Sequence, residues 1–159
     1  MTMEPNATVS ADAQALLAPW PGPYGGLPPL AGVRPVAIED AMRAAIEMKR
    51  AEVRAIAANP APPTFENTAE ALEACGAELR RVSCVHAVYA ASMSVGDMPA
   101  VAQSIAPWLT ALDDEIAHEE RLFARLNAVW ASRAEAGLSP EQQRLVEVLR
   151  TRLQRRGAG

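Results

Sequence analysis

The chain has 159 residues, half of them hydrophobic but only 4% aromatic, and 33 are alanine. That length suffices for a single domain with a genuine core, and the alanine content predicts helices that approach closely while each contact buries little area. A formal net charge of -4 and a pI near 5.2 exclude nucleic acid as an expected partner, because phosphate contacts need a clustered basic face.

The first residues, Met-Thr-Met-Glu-Pro-Asn, carry no positive start, apolar run or cleavage-like site, so no secretory signal is read there. No stretch approaches the roughly twenty apolar residues of a membrane span, and two cysteines, Cys75 and Cys84, are too few for a disulfide framework. The expectation is a cytoplasmic protein with no membrane partner. Residues 1–35 hold Pro5, Pro19, Pro21, Pro23, Pro28, Pro29 and Pro35 with Gly22, Gly25 and Gly26, a density that predicts an extended arm without regular helix or strand. Trp20, Tyr24, Leu27 and Leu30 punctuate this arm and predict that it lies on a surface. Residues 36–159 form the helical domain.

Beyond Pro35, Ile38, Met42, Ala45, Ile46, Lys49, Val53 and Ile56 recur at threes and fours, which predicts a first amphipathic helix ending near Asn59. Pro60, Pro62 and Pro63 forbid its continuation. A second helix is predicted from Asn67 to Met93, with Leu72, Leu79, Val82, His86, Tyr89 and Met93 on one stripe. Between the two, Thr64 or Asn67 is positioned to cap the new helix, Glu66 suits its positive end, and Phe65 is expected to anchor the turn in the groove between them. The segment Asn59–Thr68 is thus read as a joint, and Glu66, lacking a titratable partner nearby, as non-catalytic.

Gly96 with Asp97 or Pro99 marks the next break. A third helix follows along Met98, Val101, Ile105, Trp108, Leu109, Leu112 and Ile116, with a kink expected over Gln103–Pro107. Leu122, Leu126, Val129 and Trp130 mark a fourth helix, closed by Gly137. Ser139-Pro140-Glu141-Gln142 reads as a capping box opening a fifth, through Leu145, Val146, Leu149 and Leu153. Arg150, Arg152, Arg155 and Arg156 then sit where cations complement the carbonyl end of a helix. The predicted fold is all-α, about five helices in an antiparallel bundle-like domain behind an extended Pro/Gly-rich arm.

No chemistry is apparent in these elements, and no catalytic, cofactor-binding or metal-ligating residue is assigned. On a single helix from Asn67 to Met93, Cys75 and Cys84 would point about 180° apart and Cys84 and His86 about 200° apart, while His86 and Cys75 would stand roughly 16 Å apart. None of these pairs could share a coordination sphere. His86 reads as a packing residue and His118 as solvent-facing. Asp113, Asp114 and Glu115, with Glu119 and Glu120, read as a solvated face. There is no His-Glu-x-x-His, no phosphate-cradling glycine loop and no Gly-x-Ser-x-Gly.

Several segments nonetheless form a recognisable series: Leu16-Leu17-Ala18-Pro19-Trp20, Gly26-Leu27-Pro28-Pro29-Leu30, Val33-Arg34-Pro35, and Asn59 to Thr68. The series continues through Ala71-Leu72-Glu73, Gly76, Leu79, Arg81-Val82, Ile105-Ala106-Pro107, Leu122-Phe123-Ala124-Arg125 and Leu138 to Leu145. It resembles the N-terminal region of the thimet-type zinc oligopeptidases, in particular bacterial peptidyl-dipeptidase (dipeptidyl carboxypeptidase) and oligopeptidase A. Leu30 in place of an aromatic, the start Val36-Ala37-Ile38 and the loop Ser92–Asp97 depart from the family pattern.

The resemblance implies a helical region that walls one side of a substrate channel in a metallopeptidase hydrolysing short peptides. It also implies a zinc cofactor held by a motif far downstream, which no position here matches. The chain is therefore expected to be inactive alone, with no cofactor of its own, and to partner the catalytic part or itself through an exposed apolar face. The alternative is a free-standing helical module, derived from such an enzyme, that binds peptides or a protein.

Overall fold

A computed structural model describes residues 10–93 and 96–157. Among the described residues every regular element is helical: α1 (Ala11–Leu17), a 3₁₀ turn (Pro23–Gly25), α2 (Pro35–Ala57), a π-helical turn (Phe65–Glu70) leading into α3 (Ala71–Ala74), α4 (Ala77–Ser92), α5 (Met98–Ala117), α6 (Glu120–Ser132) and α7 (Pro140–Arg155). The all-α fold expected from periodicity is present. The prolines act where their missing N–H predicts: Pro35 and Pro140 open helices, and Pro60, Pro62 and Pro63 lie between α2 and the π turn. Pro107 is accommodated inside α5.

Two expectations need correction. The arm is not free of regular structure, because the proline-poor stretch after Pro5 forms α1, capped by the Ser10 hydroxyl accepting from the Ala13 amide. The single helix expected from Asn67 to Met93 is two. Cys75 turns extended (φ -66°, ψ 155°) and Gly76 is left-handed (φ 75°, ψ 31°), a conformation that costs a residue without Cβ little. The apolar stripe therefore resumes on a new axis at Ala77. Cys75 ends α3 while Cys84 and His86 lie on α4, so the angles and rise of one continuous helix do not relate Cys75 to the other two.

The described residues divide into two compact units, those up to 48 with those of 76–108, and 49–75 with those from 109 onward. In the first, buried side chains come from α1 (Ala13, Leu16), the first half of α2 (Ile38, Met42, Ala45, Ile46), α4 (Leu79, Val82, Val85, Tyr89) and the start of α5 (Met98, Val101, Ile105). Arg81 on α4 donates from Nε and Nη2 to the Leu17 carbonyl at 3.1 and 2.6 Å, satisfying an orphan acceptor at the end of α1. Tyr89 Oη donates to the Leu30 carbonyl at 2.9 Å. The arm thus docks through α1 and this bond, while the Leu27 side chain stays 82% exposed.

In the second unit, Val53 and Ala57 of α2 pack with Phe65, Ala69 and Cys75, with Leu122, Leu126 and Val129 of α6, and with Val146, Leu149 and Leu153 of α7. The Ser139 box forms as the sequence suggests: Gln142 N donates to Ser139 Oγ at 3.3 Å, and Ser139 N donates to Gln142 Oε1 at 2.9 Å.

Candidate functional site

The proline joint of the second unit is densely hydrogen-bonded. Thr64 caps the π turn, with Asn67 N donating to Thr64 Oγ1 at 3.2 Å and Thr64 N donating to Asn67 Oδ1 at 2.9 Å. Asn67 Nδ2 also donates to the Pro62 carbonyl at 2.9 Å, and Ala61 N donates to Asn59 Oδ1 at 2.9 Å. Short polar side chains bond nearby backbone readily in turns, so this stretch carries its own fold-back signal.

Arg125 of α6 closes the arrangement. Its side chain is buried, 7% exposed. Nη1 donates to the carbonyls of Asn59 at 2.8 Å and Ala61 at 3.0 Å, and Nη2 donates to Asn67 Oδ1 at 2.7 Å. Asn67 Oδ1 thus accepts from the Thr64 amide, the Thr68 hydroxyl and a guanidinium at once. All of these acceptors are neutral, so carbonyl and amide dipoles replace the water a buried cation loses. Arg125 Nε is buried without a hydrogen-bond partner, which leaves part of that desolvation uncompensated.

Phe65 is buried in the cluster that Val53 and Ala57 of α2 share with α6 and α7, whereas the sequence places it in the groove between the first two helices. Glu66 is exposed, and its own backbone amide and the Thr64 hydroxyl hold its carboxyl below the usual carboxylate range. It stays ionised beside the positive end of a helical turn, opposite to what a general acid needs.

The acidic run does not converge. Asp113 pairs with Arg156 at 2.9 Å, Glu115 takes Arg50 Nε and Nη2 at 2.6 and 2.9 Å, and the Asp114 carbonyl meets His118 Nδ1 at 2.7 Å. The Arg50 hydrogen bond also holds the Glu115 carboxyl below its ordinary range. Among the described residues no three His, Cys, Asp or Glu side chains are grouped to hold a metal ion. They do not fit the zinc that the family resemblance implies.

His86 on α4 is half-buried, and its Nε2 has no hydrogen-bond partner. Burial pushes its pKa below the ordinary 6.5, because desolvation disfavours the imidazolium. The folded chain therefore binds this proton less readily than the unfolded one. Its contribution to stability is complete above the unfolded pKa and is lost as pH falls from there through the folded pKa. Urea melts between pH 7.5 and 5 should show stability declining with acidity, and His86→Gln should flatten that decline. An unchanged slope in the variant would remove His86 as the cause.

No family model matches the chain. It is similar to the dipeptidyl carboxypeptidases of Salmonella typhimurium and Escherichia coli, 38% and 39% identical over 113 residues, 71% of this chain and 17% of each relative. The chain thus spans about a sixth of the length of these relatives. No helix among the described residues is long and apolar enough to cross a membrane. Over most of its length, this chain is a homologue of the bacterial dipeptidyl carboxypeptidases, the thimet-type peptidases that its segments resemble.

Proposed function

We propose that this chain is the N-terminal helical region of a cytoplasmic, zinc-dependent peptidyl-dipeptidase, where it walls the substrate channel and supplies shape rather than reacting groups. The observation that carries the reading is the 38–39% identity over 113 residues to two dipeptidyl carboxypeptidases. The Arg125-held joint supports it. A cation withdrawn from water to fix a surface turn is a costly arrangement, and it suits an element that must hold its contour beside a second body. Excluding water and bulky chains is a contribution that a rigid helical wall can make without titratable groups.

In this reading the partner is the catalytic part of the same kind of enzyme, and zinc is bound outside these residues. The test is a chimera of the E. coli relative in which the aligned 113 residues are replaced by those of this chain. The chimera is expected to release dipeptides from short peptides, and the isolated chain to release none. Chelator-sensitive hydrolysis by the isolated chain would overturn the proposal, as would a folded chimera without activity.

A further inference from the structure

The basic cluster near the end of the chain is only partly absorbed by the fold. Arg150 turns inward, donating to Asn127 Oδ1 at 2.7 Å and lying over the Trp130 ring. Arg156 pairs with Asp113, and Arg144 pairs with Glu147 at 2.7 Å. Among the described residues Arg152 and Arg155 have no ion-pair partner and are exposed. Residues 140–157 hold five arginines against two glutamates in a chain whose net charge is -4. Positive charge is thus gathered on α7 against the balance of the molecule.

The arrangement is more than a solvated helix end. At about 100° per residue, Arg144, Val148, Thr151 and Arg155 fall within about 60° of one another, with Arg152 just beside them. The core-facing residues Val146, Leu149 and Leu153 occupy the opposite side. Val148 is 45% exposed and, with Thr151, forms the middle of this stripe, between cations about 16 Å apart along the axis. A small apolar centre flanked by charge is the pattern with which one helix receives another, the centre packing and the flanks selecting sign. A phosphate polymer would gain nothing from Val148 and would be repelled by Glu147 in the same groove.

We infer that the outer face of α7 is a docking surface for an acidic amphipathic helix of a protein partner, with small apolar residues seated on Val148 and Thr151 and carboxylates on Arg144, Arg152 and Arg155. The exposed pairs Arg144–Glu147 and Arg156–Asp113 exchange partners at little cost. The inference is independent of the peptidase reading, because it rests on charge and spacing within α7.

The test uses the full chain and a labelled peptide of about 18 residues made of glutamate, alanine and leucine, with leucine along one heptad seam and glutamate beside it. Fluorescence anisotropy near physiological salt should show saturable binding, with at least about tenfold weaker binding of a scrambled peptide of the same composition. Arg152→Glu with Arg155→Glu should weaken the seam peptide by about tenfold or more while the chain stays folded, its melting temperature falling only by what the loss of two cations at the helix end costs. Val148→Ser, which leaves the charge unchanged and keeps the test open if the double variant does not fold, should weaken it by about threefold. Equal binding of the scrambled peptide, tighter binding of a single-stranded oligonucleotide, or affinity unchanged in the folded variants would overturn the inference.

Discussion

Replacing Arg125 by methionine should destabilise the chain by about 3 kcal/mol, a lower midpoint in urea at an unchanged slope. The magnitude follows from what remains behind. Methionine fills much of the same volume, so the apolar contacts of the stem are largely kept. The carbonyls of Asn59 and Ala61 and the Asn67 amide oxygen lose three charge-assisted bonds. Charge-assisted bonds contribute about 1.5–3 kcal/mol each, but Ala61 lies at the surface and water can replace part of the loss. The full sum is therefore discounted.

Lysine at this position should recover only part of the loss, because an ammonium lacks the planar fork that reaches both carbonyls and the amide together. A double-mutant cycle with Asn67→Ala should show coupling of at least about 1 kcal/mol, since each residue completes the other's bonds. Additive losses would mean that the guanidinium packs there without organising the joint.

The sequence made some of this architecture plain and concealed the rest for identifiable reasons. Pro35, the Pro60–Pro63 cluster and Ser139-Pro140 are backbone constraints that act locally, so the limits of α2 and the start of α7 fall where spacing placed them. Gly76 gives a weaker signal. A lone glycine in a helical pattern is compatible with continuation, and the apolar stripe resumes beyond it at Leu79 and Val82, which hides the change of axis. Helix α1 is hidden from a reading of composition because the arm's many prolines flank a segment that contains none.

Arg125 left a signal that goes unread when only apolar residues are followed. Leu122, Arg125, Leu126 and Val129 step at three, one and three, so the arginine occupies a core position of the α6 stripe. A charged residue in such a position is either displaced or bonded, and its partners lie more than fifty residues earlier. Long-range acceptors on backbone carbonyls leave no trace in composition. The acidic run shows the same limit: adjacent carboxylates on α5 diverge as helical geometry requires, while their partners Arg50 and Arg156 come from distant elements.

Phe65→Ala should cost about 3–5 kcal/mol, the range for emptying a buried aromatic site that collapses only partly. The ring is 9% exposed and sits in one cluster with Val53 and Ala57, with Leu122, Leu126 and Val129, and with Val146 and Leu149. A unit so rich in alanine has few large side chains to move into the space. Phe65→Leu, which keeps most of the apolar volume, should cost about 1.5 kcal/mol or less.

Phe65 precedes the π turn by no residue at all, being its first, so removing the ring detaches the turn from α6 and α7 as well as opening a void. Amide exchange in α6 and α7 should accelerate together with that of the π turn, as one cooperative unit. Acceleration confined to Thr64–Glu70 would show that the joint opens without the helices it touches. Combining Phe65→Ala with Arg125→Met should then cost less than the two losses added, because each variant alone already releases the contacts that hold the joint to α6. Strict additivity would separate the apolar anchor from the polar clamp and leave the joint as two independent attachments.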